Sequence, residues 1–168
     1  TSNEQYELLV KGMCLCTDAH IAEDGTEIGD PTETALVFYA KDKGYAKNDL
    51  ETQLPRINEK AFDSDRKLMT TVHLDGEKLI SFTKGSTDEL IKRCTKIMID
   101  GKVVELKPAH IGVLNALMQR WSEKALRVLA LAVRYDTKDP VEQDLTFVGL
   151  VGMIDPERPE VAKSVEIL

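Results

Sequence analysis

The chain has 168 residues, 42% of them hydrophobic, which is enough for one domain with a substantial core. Its formal net charge of −7 argues against nucleic acid as a partner, because no basic stripe dominates the sequence. The longest wholly apolar run, residues 147–154, is too short to span a bilayer, and we expect no signal peptide.

Three cysteines form an odd and sparse set, which indicates a reducing compartment without a disulfide framework. Cys14 and Cys16 could in principle ligate a metal, but no second pair and no nearby histidine supports that function. A better explanation is that both cysteines are small apolar residues of a helix. The chain begins without methionine and ends within an apolar-patterned segment, so we expect it to be a piece of a longer protein.

Two helices are predicted before residue 45. The first covers residues 3–17, with one apolar stripe formed by Tyr6, Leu9, Val10, Met13 and Cys14. A polar loop over 18–28 leads to the second, with Asp30 at its N-cap, Pro31 at its first position and Gly44 placed to end it. Capping alone explains this motif, so by itself it does not indicate a function.

A hairpin is the most informative local feature. Residues 54–62 predict a strand that leads into two further strands, 68–74 and 77–84, joined at Asp75-Gly76. Asp-Gly favours a type I′ turn, which would place residue 74 opposite 77 and residue 67 opposite 84. Lys67 and Lys84 would then repel each other across the sheet unless an anion lies between them, so this register predicts an anion site. An exposed hairpin with solvated lysines is the alternative.

The neighbours of the two lysines favour the anion site. Phe62 offers an aromatic face on which a base could stack, whereas alternation points Arg66 to the opposite face from Lys67. Gly85 permits close approach of a backbone or ligand. Ser86 and Glu89 form an S-x-x-E capping box that predicts the start of a helix, whose free N–H groups would face an anion.

The second half of the chain predicts further helices and strands in mixed order. Helices are predicted over 87–94 and from Pro108, the latter with Trp121 in the core, and 161–168 predicts the start of another helix. Strands are predicted at 97–99 and 103–106, around Asp100-Gly101, and at 126–135 and 146–154, with Arg127 exposed and a break at 155–159. This order favours an α+β fold, an antiparallel twisted sheet flanked by helices.

Familiar catalytic motifs are missing. The sequence contains neither G-x-x-x-x-G-K-[ST], nor a G-x-G-x-x-G after a strand, nor a G-x-S-x-G nucleophile elbow. His20, His73 and His110 stand alone, without the spacing of metal ligands. The residues therefore indicate a binding site without a reaction centre of its own, and they predict no catalytic residue and no metal ligand.

Four motifs, taken in order, resemble the nucleotide-binding domain of P-type cation-transporting ATPases of the calcium-pump type (type II), with a bacterial source expected. They are residues 29–36, 62–67, 84–86 and 126–132. The segment 147–156 resembles the family's return into its phosphorylation domain. The resemblance divides the chain into a nucleotide-binding domain, 1–147, and the start of the return segment, 148–168.

The resemblance implies that adenine stacks on Phe62, that Glu33 and Thr32 lie at its polar edge, and that Arg127 pairs with the phosphates. Lys67 would contact the base or the phosphates, and Lys84 would line the pocket floor. The full set of residues it implies for binding ATP is Thr32, Glu33, Phe62, Lys67, Lys84, Gly85, Arg127 and Leu129. Ser64 stands where muscle calcium pumps have an arginine, so one phosphate contact is expected to be missing, and Ser86 replaces the commoner alanine.

The family's phosphorylated aspartate, in an Asp-Lys-Thr-Gly-Thr motif, and its magnesium-binding loop are absent from this sequence. The resemblance therefore implies a chain that binds ATP or ADP without hydrolysing it, with Mg²⁺ held mainly by the phosphorylation domain. In a pump it would present the γ-phosphate to that aspartate.

The expected partners are the phosphorylation and actuator domains of the same pump, with no nucleic acid and no direct membrane insertion. We expect a monomer at the cytoplasmic face of a membrane. A magnesium- or sodium/potassium-type pump domain remains an alternative, as does a non-enzymatic protein-interaction module.

Overall fold

The computed structural model describes residues 2–21, 24, 26–124, 126–153 and 165–167. Five helices are described, α1 to α5, in chain order Ser2–Leu15, Pro31–Asp42, Lys47–Gln53, Thr87–Ile91 and Pro108–Glu123. The first four strands described, β1 to β4, are His20–Ile21, Glu27–Ile28, Arg56–Asp63 and Leu68–Asp75. The following six, β5 to β10, are Lys78–Gly85, Cys94–Ile99, Lys102–Glu105, Arg127–Tyr135, Leu145–Met153 and Val165–Ile167.

One large sheet organises the fold. Its strands follow the order β3-β4-β5-β8-β9-β6-β7, and β10 pairs with the far end of β9. Every pair in this sheet is antiparallel except β6 with β9, which is parallel. The α+β class with a mainly antiparallel sheet and flanking helices is thus confirmed.

Each face of the sheet is covered by a different set of helices. On one face, α1 and α2 bury apolar residues against β4, β5, β8 and β9, around Leu9, Leu36, Phe82 and Leu131. On the other face, α4 and α5 pack over Leu68, Ala130 and Phe147. Trp121 is in this second core, as predicted, and a side chain at Gly152 would come within 2.7 Å of its ring.

Several local predictions hold. The side chain of Asp30 caps α2 by accepting a hydrogen bond of 2.8 Å from the amide of Thr32. Gly44 follows the end of α2 with a φ of +96°. The turn between β6 and β7 has positive φ at both Asp100 and Gly101, as the Asp-Gly signal predicts.

Other local predictions were wrong. Helix α3, Lys47–Gln53, was not predicted, since its N-cap, Ala46, offers no side-chain cap. The predicted polar loop holds the short pair β1 and β2, and α4 ends at Ile91, with Cys94 beginning a strand.

The predicted helix over 161–168 is contradicted where it can be examined, because residues 165–167 form a strand against β9. Residues 161–164 and 168, and the predicted break at 155–159, lie outside the described residues. The predicted capping box at Ser86 is also wrong. Ser86 makes no side-chain cap to α4, and Glu89 instead pairs with Lys92 at 3.2 Å.

The predicted hairpin register was wrong by two residues. Met69, not Lys67, lies opposite Lys84, and the two-residue turn is Gly76-Glu77. Gly76 has a φ of +65° and Glu77 does not have a positive φ, which fits a type II′ pattern with glycine first rather than type I′.

The adopted register has a physical reason. It pairs Asp75 with Lys78 and Leu74 with Leu79, whereas the predicted one would have set Leu74 opposite Glu77 and the two lysines opposite each other. A shift of two residues also leaves every side chain on its original face, so burial does not oppose it. The chain thus avoids the lysine repulsion from which the anion site was predicted.

Candidate functional site

Five of the predicted site residues lie together above one face of the sheet. Lys84 of β5 pairs with Leu131 of β8, and Leu129 and Arg127 lie on the same face as Leu131 by strand alternation. Helix α2 packs on this face, and its first turn carries Thr32 and Glu33. The sheet and the N-terminal turn of α2 therefore bring together residues from three distant segments.

The ammonium group of Lys84 is the least satisfied polar group of this region. The residue is only 5% exposed, and its Nζ has no hydrogen-bond partner among the described residues. Its nearest acidic group is the Glu33 carboxylate, with Nζ 3.9 Å from Oε1, which is an ion-pair distance but not a hydrogen bond. A buried cation in this state offers strong binding energy to an anionic or polar ligand.

Two direct contacts order the α2 side of the site. The Arg127 Nη1 group donates a hydrogen bond of 2.7 Å to Thr32 Oγ1, which ties the start of β8 to α2. The other oxygen of Glu33, Oε2, accepts a hydrogen bond of 2.6 Å from the backbone amide of Asp18. Arg127 is otherwise exposed, as predicted.

Residues not predicted for the site hold that Asp18 amide in place. Arg56 donates to the carbonyl of Leu15 at 2.7 Å and pairs with the Asp18 carboxylate at 3.1 Å. Lys47 is buried and donates to Thr17 Oγ1 at 2.9 Å, and burial lowers its pKa. Both side chains thus donate hydrogen bonds to carbonyl and hydroxyl oxygens at the C-terminal end of α1 and just after it. No sequence motif indicates these contacts.

Phe62 reaches the same face through an irregularity in β3. Lys60 pairs with Thr70 and Asp63 pairs with Leu68, so Ala61 and Phe62 together oppose the single residue Met69. Met69 pairs with Lys84 in turn, so Phe62 lies two strands away from Lys84, roughly 10 Å across the sheet. Its side chain is 58% exposed, which leaves the aromatic ring available to a ligand.

Lys67 lies beside the site through a turn rather than through strand pairing. It has a φ of +59° and ends the turn between β3 and β4, with its side chain exposed. Its carbonyl accepts a hydrogen bond of 3.1 Å from the Ser86 amide and lies 2.1 Å from where a Cβ on Gly85 would stand. The close approach predicted for Gly85 is therefore made in this structure by the backbone of Lys67.

The Arg66 side chain lies on the sheet face opposite Lys84, where its partner was not predicted. Its Nε lies 2.6 Å from Oε1 of Glu142, a buried carboxylate in the connection between β8 and β9. A single glutamate in a polar segment carries no signal in the sequence, so Glu142 could not have been found without the structure.

The cysteines and the internal histidine have structural explanations. Cys14 and Cys16 are buried, and burial raises the pKa of Cys14 to about 12 and also raises that of Cys16. His73 is buried between the Leu54 carbonyl and the Thr71 hydroxyl, at 2.8 Å from each, and burial lowers its pKa to about 4. Across the described ranges, no group of three or more His, Cys, Asp or Glu could hold a metal ion.

Within the portion of the chain that the structure describes, no helix has the length and apolar character needed to cross a membrane.

Comparisons with known proteins agree with this architecture. The family model described as P-type ATPase, cytoplasmic domain N, matches residues 5–160. Calcium-transporting ATPase 1 of Lactococcus lactis is 42% identical over 95% of this chain, and calcium-transporting ATPase 1 of Bacillus cereus is 42% identical over 98%. Human calcium-transporting ATPase type 2C member 1 is 34% identical over 99%.

The chain covers 19%, 19% and 18% of the length of these three relatives, so it corresponds to about one fifth of each. The matched family model covers nearly all of the sheet and the helices on both of its faces, including α2, which contributes to the site. The chain belongs to the P-type ATPase cytoplasmic domain N family.

Proposed function

We propose that this chain binds ATP on the sheet face between Phe62 and Arg127. One observation carries the proposal. The Lys84 ammonium is buried without a hydrogen bond among the described residues, and the exposed ring of Phe62 lies two strands away on the same face of the sheet. A nucleotide combines a flat aromatic base with a polyanion, and these two groups match the ring and the cation.

The eight residues have different roles in this proposal. Adenine stacks on Phe62, Thr32 and Glu33 accept or donate hydrogen bonds at its polar edge, and Lys84 forms the floor of the pocket. Leu129 adds an apolar wall, because it packs half-buried beside the core under α2.

The remaining roles concern the phosphates. Lys67, whose exposed side chain follows the β3–β4 turn, contacts the base or the phosphates. Arg127 exchanges its hydrogen bond to Thr32 for one to the phosphate chain. Gly85 allows the Lys67 backbone to pack closely against β5. In this proposal it also lets the nucleotide approach the backbone.

The parent protein is proposed to be a P-type cation-transporting ATPase. Calcium is the proposed ion, because the relatives from Lactococcus lactis, Bacillus cereus and human all have "calcium-transporting" in their names. The domain covers residues 1–147, and 148–168 begin the return to a phosphorylation domain. The chain acts as a monomer within the pump, at the cytoplasmic face of the cell membrane, and contacts the phosphorylation and actuator domains.

The proposed role in catalysis is to position the substrate. The chain holds ATP so that its γ-phosphate meets an aspartate of the phosphorylation domain, which also holds most of the Mg²⁺. Because these 168 residues lack the Asp-Lys-Thr-Gly-Thr motif, we propose that the chain alone binds ATP without hydrolysing it.

Titration calorimetry with Phe62→Ala tests the site. The mutation should weaken ATP and ADP alike, because the ring contacts the base common to both, and a stacking contribution of roughly 1–3 kcal/mol corresponds to a five- to 150-fold rise in Kd. Tyr135→Ala is the matched control, since Tyr135 is a similarly exposed aromatic at the far end of β8. If Phe62→Ala binds ATP as tightly as the parent, adenine does not stack there.

A further inference from the structure

Glu142 is the centre of a buried polar cluster on the sheet face opposite the nucleotide site. Its side chain is 2% exposed, and it accepts a hydrogen bond of 2.6 Å from Arg66 Nε and another of 2.6 Å from Thr70 Oγ1. Since the Thr70 hydroxyl donates its only hydrogen to the carboxylate, Thr83 must donate to Thr70, at 2.9 Å. Lys60, half exposed, adds a longer ion pair at 3.6 Å.

Arg66 connects this cluster to the irregular part of β3. While its Nε contacts Glu142, its Nη2 donates a hydrogen bond of 2.8 Å to the carbonyl of Ala61. Ala61 and Phe62 are the two residues that together oppose Met69. The guanidinium therefore fixes the peptide that joins Ala61 to Phe62, and Glu142 fixes the guanidinium.

The same arginine belongs to the turn that ends at Lys67. The Lys67 amide donates a hydrogen bond of 2.6 Å to the Asp63 carbonyl, so the turn closes on itself around Arg66. The Glu142 carboxylate thus holds Arg66, and Arg66 in turn holds the backbone of β3 before the turn and forms part of the turn itself. Phe62, one residue before the end of β3, and Lys67, at the end of the turn, both belong to the proposed nucleotide site.

We propose that Glu142 is a positioning residue for nucleotide binding: through Arg66 it holds the bulged backbone of β3 in the conformation that presents Phe62 to adenine. This inference rests on the proposed function, since it concerns the same site from the opposite side of the sheet. Glu142 does not touch the nucleotide. Its effect on affinity therefore acts through the placement of Phe62.

A double-mutant cycle in nucleotide affinity tests this. Glu142→Gln keeps the shape of the side chain but removes the charge that holds Arg66, and it should raise the Kd for ATP and for ADP roughly three- to tenfold, part of the full stacking contribution. In a Phe62→Ala background the same change should leave Kd unaltered, because the ring that it positions is no longer present. A merely structural role would lower the melting temperature without this dependence on Phe62.

Asp144→Asn is the matched control. Asp144 lies two residues away in the same connection, pairs with Arg134 at 3.6 Å and has a φ of +54°, which asparagine also tolerates. The Asp144→Asn variant should leave the Kd for ATP and for ADP unchanged. If Glu142→Gln does not fold, Arg66→Lys takes its place. Lysine keeps the positive charge but lacks the planar guanidinium that donates to Glu142 and to the Ala61 carbonyl at the same time.

The outcomes separate this inference from the proposed function. If the parent does not bind ATP, or if Phe62→Ala does not weaken binding, the proposed function fails. If Phe62→Ala weakens binding but the Glu142 variant does not, only the positioning role is wrong. Equal losses from the Glu142 variant with and without Phe62 would also overturn it.

Discussion

Replacing Lys84 by methionine should weaken ATP binding while leaving the empty domain as stable as the parent, or slightly more stable. Methionine has a similar length and no charge, so it fills the same space in the sheet face without a buried ammonium. The structure changes the reason for this expectation. Repulsion from Lys67 is not involved, since Lys84 faces Met69; what matters is the burial of its charge.

Two opposing contributions set the magnitude. Removing Lys84 from water costs several kcal/mol, and its Nζ recovers no hydrogen bond among the described residues. Attraction to Glu33 at 3.9 Å is worth about 4 kcal/mol at the effective dielectric constant of a protein site, so the two nearly cancel. In the parent, the Glu33 side chain is 21% exposed and accepts a hydrogen bond from the Asp18 amide, so the substitution should not leave it unpaired.

The expected change in the free energy of unfolding without ligand is therefore about 0–1 kcal/mol in favour of Lys84→Met, or about 0–4 °C in melting temperature for a chain of this size. With ATP at a hundred times the parent's Kd, the parent gains about 2.7 kcal/mol. A tenfold loss of affinity would halve that gain, so the ATP-induced shift of the variant should be about half that of the parent.

Thermal melting of both proteins, with and without ATP, measures these shifts. Lys92→Met is the matched control, because the Lys92 side chain is 69% exposed and pairs with Glu89 at the surface; its ATP-induced shift should equal the parent's. A Lys84→Met variant that melts several degrees lower without ligand, yet keeps the full ATP-induced shift, would refute the reasoning and make Lys84 a purely structural residue.

Three further predictions concern strain, pH and turnover. Gly85→Ala should lower the melting temperature by roughly 5–10 °C, because Gly85 has a φ of +155° and a Cβ there would lie 2.1 Å from the Lys67 carbonyl oxygen. Gly112 lies in α5 with open space around it, so the control Gly112→Ala should raise the melting temperature slightly. The pKa of about 4 of buried His73 lies below that of the unfolded chain, so stability is complete above pH 6.5 and falls as the pH drops towards 4; His73→Gln should reduce this fall in pH-dependent melting. Incubation of the chain with labelled ATP should yield neither phosphoprotein nor free phosphate, and a stoichiometric phosphoprotein would contradict the proposal that it only binds.

The sequence predicted the fold where one local rule decides the outcome. Asp30 and Pro31 fix the start of α2, and Asp100-Gly101 fixes the turn between β6 and β7, because neither depends on distant residues. Helix α3 was missed because its start has no side-chain cap. Strand β10 was missed because residues 165–167 pair with the distant strand β9, which no local pattern predicts.

The candidate site shows the same division. Glu33 and Lys84 could be named from motifs, and the structure brings them to 3.9 Å. The register argument behind Lys84 nevertheless failed, because the loop can be either Asp75-Gly76 or Gly76-Glu77. The two loops give strand registers that differ by two residues and leave the same side chains on each face. Only the pairing of Asp75 with Lys78 and of Leu74 with Leu79 decides between them.

The sheet face on which Phe62 lies depends on how β3 pairs with β4, which the sequence of β3 alone does not indicate. An unbroken register from Lys60 opposite Thr70 would place Ala61 opposite Met69 and turn Phe62 to the face of Glu142. The extra residue in β3 reverses this, and the carbonyl of Ala61 is where Arg66 binds. The exposed ring on the Lys84 face is thus a consequence of a bulge on an edge strand, which is held by Arg66 and by a carboxylate 76 residues after Arg66 in the chain. For this reason a substitution on the far side of the sheet is expected to change nucleotide affinity without touching the nucleotide.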